Sequence, residues 1–169
     1  RDAFLFKMYQ AFGHHFDFIA IPIIKKRLRM DTSQVIINEE RPQLTKHLAT
    51  RFKEKIGQNV NLLGEVVLGN GEADHRYHHY LEALESPDIN YISVKISGIY
   101  AQTHALNYEE SFPELVSRMS ALYQKAIDFP YTDEDGIKRS KFINLDMEEY
   151  KVAHFTLRLF KAVLNLPQF

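Results

Sequence analysis

The sequence predicts an α/β protein whose parallel sheet is built from strand-helix units behind a helical leader. Three observations predict it. Short apolar runs of strand length and composition recur at 60–68, 91–97 and 142–145. Each is followed by apolar residues at three- and four-residue spacing, the period of a helix packed on one side. Each run also carries or ends in a charge: Glu65, Lys95 and Asp146. Strand-helix alternation of this kind means parallel strands joined by crossovers.

The leader comes first. Residues 3–29 read as helical, with Phe4, Met8, Phe12 and Phe16 on one stripe and Lys25, Lys26, Arg27 and Arg29 closing the segment, where cations suit the helix dipole. Pro22 predicts a kink or a split, and Gly13-His14-His15 a break between helices. A basic amphipathic helix can lie on a membrane, but so many apolar residues favour packing against the domain. Residues 31–40 form a connector. A helix then starts at Arg41, with Pro42 at its first position, a stripe of Leu44, Leu48, Phe52 and Ile56, and Gly57 as C-terminal cap.

The first strand begins near Val60. Asn70-Gly71 turns the chain into a helix over 72–86, with Ala73, Tyr77, Tyr80, Leu81 and Leu84 inward and Pro87 ending it. The second strand spans 91–97, and a loop over 98–107 lies at its carboxyl end. A helix over 108–129 buries Phe112, Leu115, Met119, Leu122 and Ala126. Residues 130–140 are a polar loop at the opposite end of the sheet. After the third strand, Tyr150, Ala153, Leu157, Phe160 and Leu164 at three- and four-residue spacing predict the last helix.

Composition narrows the function. The 169 residues suffice for one core, and 45% apolar with 25% charged is ordinary for a globular protein. A net charge of −1 gives no broad surface for nucleic acid. There is no cysteine, which excludes disulfides, thiolate metal sites and a cysteine nucleophile. The apolar run 18–24 contains Pro22 and is far short of the ~20 residues of a spanning helix. No glycine-rich nucleotide fingerprint or P-loop occurs. Arg1 is not an initiator methionine, so a longer polypeptide is the expectation.

Lys95 is the most informative residue. A lysine within an apolar strand is costly unless it is paired or faces a site. It reads as an edge-strand surface residue, a Schiff-base nucleophile of a barrel lyase or aldolase, or a ligand for a substrate anion. Asp146 stands where a strand ends and a helix begins, the place for ligands in parallel α/β folds and also for a helix N-cap. Glu65 is a second acid for the site, or a structural partner for Lys95. Met147 reads as core. His75 and His79 have the spacing of a metal pair, but with no third ligand apparent they read as an exposed polar face, and no metal site is expected.

The motifs NVNLLGEVVLGNGEAD, YISVKISGIYAQ and KFINLDMEEY, in that order, resemble the first three strands of the proline dehydrogenase barrel. The resemblance covers roughly residues 30–169, and it is nearest to the version in bifunctional proline utilisation A proteins. It implies a partial (βα)8 TIM barrel, its first three β-α units at 59–169 behind a leader at 1–58. It implies FAD-dependent oxidation of L-proline to 1-pyrroline-5-carboxylate. By resemblance, Lys95 and Glu65 contact substrate, Lys95 at its carboxylate. Asp146 lies beside substrate and flavin, and the main chain of Met147 borders the flavin. Asn61 stands where some relatives carry Asp, a departure from the pattern. The family's barrel has eight strands and these motifs account for three. The flavin-phosphate positions and the arginine pair that clamps the substrate belong mostly to later strands. The 169 residues alone are therefore expected to be neither active nor good flavin binders.

The partners implied are L-proline, a downstream aldehyde dehydrogenase domain, a homo-oligomer, and contact with quinone or the inner-membrane periphery from a cytoplasmic location. A non-catalytic assembly or regulatory segment is the other class of reading.

Overall fold

The computed structural model describes residues 7, 17–33, 35–38, 40–63, 67, 69–101, 108–147 and 150–169. Two compact units divide the chain, Arg1–His47 and Leu48–Phe169.

In the first unit, helix α1 spans Asp17–Thr32 and runs unbroken through Pro22, where the sequence predicted a kink or a split. Its Phe18, Ile21, Ile23, Ile24 and Leu28 are exposed. Phe18, Ile21, Ile24 and Leu28 lie along one side, and Ile23 lies on the opposite side with the exposed Ile19 and Met30, so the helix is apolar on both faces. The stripe at Phe4, Met8, Phe12 and Phe16 and the break at 13–15 lie outside the described residues. Helix α2, Arg41–Lys53, continues into the second unit.

Helix α2 ends in a Schellman motif. The Ile56 amide donates to Arg51 O and the Lys55 amide to Phe52 O, both at 3.0 Å. The left-handed residue of this motif is Lys55, at φ 59°, and not the predicted cap Gly57.

The second unit carries a three-stranded parallel sheet in the order β1–β2–β5, from β1 (Val60–Asn61), β2 (Tyr91–Lys95) and β5 (Phe142–Asp146). The mixed α/β class with a parallel sheet therefore stands. Helix α3, Asn70–Glu85, includes Asn70 and Gly71 in its first turn instead of using them as a turn before it. The second strand stops at Lys95, earlier than predicted. The chain coils at once into a one-turn helix α4, Ile96–Ile99. Helix α5 spans Tyr108–Asp128. The polar segment after it is an antiparallel hairpin, β3 (Tyr131–Thr132) with β4 (Lys138–Arg139). Asp133 organises its turn, accepting from the amides of Asp135 at 3.0 Å and Ile137 at 2.8 Å, with Gly136 at φ 77°. A 3₁₀ turn, Tyr150–Val152, leads into α6, Ala153–Leu164.

Side chains alternate across a strand, and here the two faces differ in chemistry. Ile92, Val94 and Ile143 are buried on the side covered by helices. Helices α3 and α5 pack against each other, and so do α5 and α6. They contribute Ala73, Tyr80 and Leu84, then Leu115, Met119, Leu122 and Ala126, then Phe155, Leu159 and Val163. Each of the buried Leu, Met, Phe and Val side chains among them is worth roughly 1.5–3 kcal/mol of burial, and the two alanines less. The spacing that predicts α6 runs along its outer face. Tyr150 is 95% exposed, and Leu157, Phe160 and Leu164 are exposed too. Leu157, Phe160 and Leu164 share their face with the exposed His154, Arg158 and Lys161, whereas Phe155, Leu159 and Val163 share theirs with no charged residue.

The amino end of the sheet is pinned by main-chain bonds, Phe142 N to Asn90 O and Lys141 N to Ala126 O. The Lys141 side chain is only 6% exposed and donates to Ser86 O.

Candidate active site

The other face of the sheet is polar in every described strand. Alternate positions of the strands and their approaches give Asn59 and Asn61, Ser93 and Lys95, and Asn144 and Asp146. Register brings them together. Asn61 is opposite Ser93, Ser93 is opposite Asn144, and Lys95 is opposite Asp146. Six polar residues thus share one face, and the two charged ones occupy the carboxyl ends of adjacent parallel strands.

Hydrogen bonds join five of them. Ser93 Oγ accepts from Asn59 Nδ2 at 2.8 Å and from Asn144 Nδ2 at 3.2 Å, and donates to Asn59 Oδ1 at 3.2 Å. Asn144 Nδ2 also donates to Asp146 Oδ1 at 2.5 Å. Asn61 Nδ2 donates to Asp146 Oδ2 at 3.3 Å. Both oxygens of Asp146 are therefore held by amide donors. Ser93, though hydrophilic, is 2% exposed and fully satisfied.

Lys95 is the last residue of its strand, not the middle of one, and is half-buried. The backbone after it is anchored from beneath. Arg118 of α5 donates NH1 to Ile99 O at 3.0 Å and NH2 to Asp74 of α3 at 2.6 Å. Gly98 lies against Tyr80, where an added Cβ would stand 3.5 Å from the phenol oxygen.

Asp146 is half-buried and does not cap the helix that follows. Helix α6 begins seven residues later, and Val152 at its N-cap makes no side-chain cap bond. Met147 follows Asp146 directly and is exposed, not core. Glu65, with Gly64 and Val66, lies outside the described residues, as do Glu148 and Glu149. The rings of His75 and His79 lie tilted at 48° with centroids 4.2 Å apart, and no group of three or more metal-ligating side chains occurs among the described residues.

Sequence reasoning missed Asn59, Ser93 and Asn144. The signal was available as a period of two: N-x-N, S-x-K and N-x-D, each closing a strand approach or strand end with polar residues on one face.

Among the described residues, this sheet face sets one cation, Lys95, opposite one carboxylate, Asp146, at the strand ends. Residues 44–169 match the family model for proline dehydrogenase. The chain belongs to the proline dehydrogenase family. It is also similar to solved structures of proline utilization A. The protein from Corynebacterium freiburgense is 33% identical with a TM-score of 0.72, over 95% of this chain and 16% of that one. The protein from Bdellovibrio bacteriovorus, inactivated by N-propargylglycine, is 26% identical with a TM-score of 0.72, over 88% of this chain and 17% of that one. The chain thus spans about a sixth of the length of these relatives. No curated protein matches it. Among the described residues no helix is long and apolar enough to cross a membrane.

Proposed function

We propose that this chain supplies one wall of a flavin-dependent proline dehydrogenase site that oxidises L-proline to 1-pyrroline-5-carboxylate. The observation that carries the reading is the register of Lys95 with Asp146, on the polar face of adjacent parallel strands in a chain of this family.

Proline carries a carboxylate and an ammonium, and Lys95 and Asp146 offer the complementary charges. Lys95 binds the substrate carboxylate through a charge-assisted hydrogen bond. Asp146 attracts the ring ammonium and orients the ring carbon beside nitrogen. Glu65 is assigned to the substrate side with Lys95, on the resemblance. The residues present fit a flavin as neighbour. Met147 is exposed directly after Asp146, and its main chain is assigned to the border of an FAD ring on the resemblance. Bound FAD supplies the hydride acceptor, and the residues of this chain supply position and charge.

The three strands serve in this reading as the first β-α units of a (βα)8 barrel, at 59–169, with 1–58 as leader. Strands β1 and β5 are the edges of the described parallel sheet, and parallel sheets are normally covered or closed. The likeness to the bifunctional proteins extends the proposal to a fused aldehyde dehydrogenase domain, a homo-oligomer and, from a cytoplasmic location, membrane-peripheral quinone as electron acceptor.

The test is anaerobic bleaching of the flavin band by L-proline in the full-length protein that carries this chain. Bleaching that is lost or strongly slowed in Asp146→Ala supports the reading. A protein with no flavin band, or one trapped by borohydride with a carbonyl substrate through Lys95, would replace it with lyase chemistry.

A further inference from the structure

The amide of Asn144 lies between the buried Ser93 and Asp146, and its orientation follows from hydrogen-bond arithmetic. A serine hydroxyl has one hydrogen and two lone pairs. At Ser93 both lone pairs are taken, by Asn59 Nδ2 and Asn144 Nδ2, and the hydrogen goes to Asn59 Oδ1. Ser93 therefore has no donor left for Asn144, which must present its NH2 rather than its carbonyl. A carboxylate only accepts, so the same NH2 suits Asp146. One hydrogen goes to Ser93 and the other to Asp146 Oδ1 at 2.5 Å. Asn61 Nδ2 takes the second oxygen at 3.3 Å. The carboxylate is gripped at both oxygens from the sheet side, and its remaining lone pairs are left for a ligand.

We propose that Asn144 is a positioning residue for Asp146, and that Ser93 fixes the direction in which Asn144 presents its amide. The inference rests on the proposal that Asp146 orients the substrate. It adds a residue that touches neither substrate nor flavin and acts through Asp146 alone. Leucine at 144 keeps the volume and removes both donors. Alanine at 93 removes the acceptor that keeps the amide from turning over.

The experiment is a double-mutant cycle in the full-length protein that carries this chain, read as the rate of flavin reduction at saturating proline, with flavin content and melting temperature recorded for every variant. The expected result is that Asn144→Leu slows reduction about tenfold with a smaller change in apparent affinity, and that in an Asp146→Ala background it changes the rate by less than about twofold. A merely structural role would slow both backgrounds alike. Equal losses in the two backgrounds, or no loss from Asn144→Leu, overturn the proposal while leaving the site reading intact. If Asn144→Leu fails to hold flavin, Ser93→Ala takes its place in the same cycle. A loss confined to the Asp146 background then supports the proposal, and no loss or equal losses overturn it. If Asp146→Ala itself reduces flavin at the normal rate, the site reading falls and this inference falls with it. The two failures are told apart by which single variant is silent.

Discussion

Asn61 on one edge strand donates a hydrogen bond to Asp146 on the other, across the strand between them. In a flat sheet the two edges would be about 9.6 Å apart, and the two-residue offset would add about 6.6 Å along the strands. Two short side chains and a 3.3 Å bond span only about 8 Å. The sheet must therefore bend, concave on its polar side. Charges at the strand ends are drawn towards one another by that curvature, which is the geometry a ligand site requires.

Lys95→Ala is expected to raise the Michaelis constant for proline about ten- to a hundredfold with little change in kcat. That is the effect of losing one charge-assisted hydrogen bond, roughly 1.5–3 kcal/mol. Steady-state kinetics on the full-length protein check it. Unchanged kinetics, or loss of all flavin, would show that Lys95 does something else.

The 169 residues expressed alone are expected to retain no flavin through desalting and to reduce no dye with proline. Two open parallel edges and a single polar wall do not enclose a cofactor. A visible flavin band with turnover would mean that the site is built from far less of the family's barrel than proposed.

Arg118→Met should destabilise the protein by about 2–3 kcal/mol, because a half-buried guanidinium loses its bonds to Asp74, Glu114 and Ile99 O together. Burial opposes its charge, but the bonds from Glu114 and Asp74 outweigh that and hold its pKa above the ordinary arginine value. Urea unfolding measures the loss. A change below about 0.5 kcal/mol, the range of an ordinary surface substitution, contradicts the assignment of Arg118 as the tie between α3, α4 and α5.

Lys55→Gly should stabilise by about 1 kcal/mol, because glycine adopts φ 59° without the steric cost that a Cβ imposes there. Thermal melts decide it. A lower melting temperature would show that the lysine side chain matters more than its backbone angle.

Lys141 gives a pH dependence. Burial lowers its pKa below the ordinary lysine value of 10.5, with Asp88 acting weakly in the opposite sense. Between the lowered folded value and 10.5, the unfolded chain holds a proton that the folded chain has released. Stability therefore rises with pH across that interval and levels off above it. Burial raises the pKa of Tyr123 above 10.0, which subtracts stability from about pH 10 upward and so overlaps the top of the Lys141 interval. The contribution of Lys141 is thus read as the difference between wild type and Lys141→Met in urea titrations at a series of alkaline pH values. Parallel curves would contradict it.

What could be read from the sequence divides along physical lines. Parallel direction followed from the alternation of apolar runs with helical periods, strand order from the family resemblance, and Lys95 and Asp146 stood out because a charge in such a run is costly. Asn59, Ser93 and Asn144 did not, because neutral polar residues carry no such cost and announce themselves only when three strands are laid side by side. The buried face of α6 could have been read, because His154, Arg158 and Lys161 mark the Leu157 side as the outer one and leave Phe155, Leu159 and Val163 inward. Lys55 took the left-handed cap that Gly57 advertised, since hydrogen bonding to Arg51 and Phe52 fixed the helix end first. The hairpin at 131–139 was hidden by two-residue strands too short to show a period.

The stripe of Leu157, Phe160 and Leu164 has a practical consequence. A chain with a net charge of −1 has almost no long-range repulsion to keep copies apart near neutral pH. That stripe is then one colloidal weak point in a test tube, as are the exposed Phe18, Ile23 and Leu28 of α1. Replacing Leu157 and Leu164 with glutamate would add charge and remove grease at one stroke. That pair of substitutions is the natural first step for keeping the isolated chain dispersed at the concentrations that spectroscopy needs.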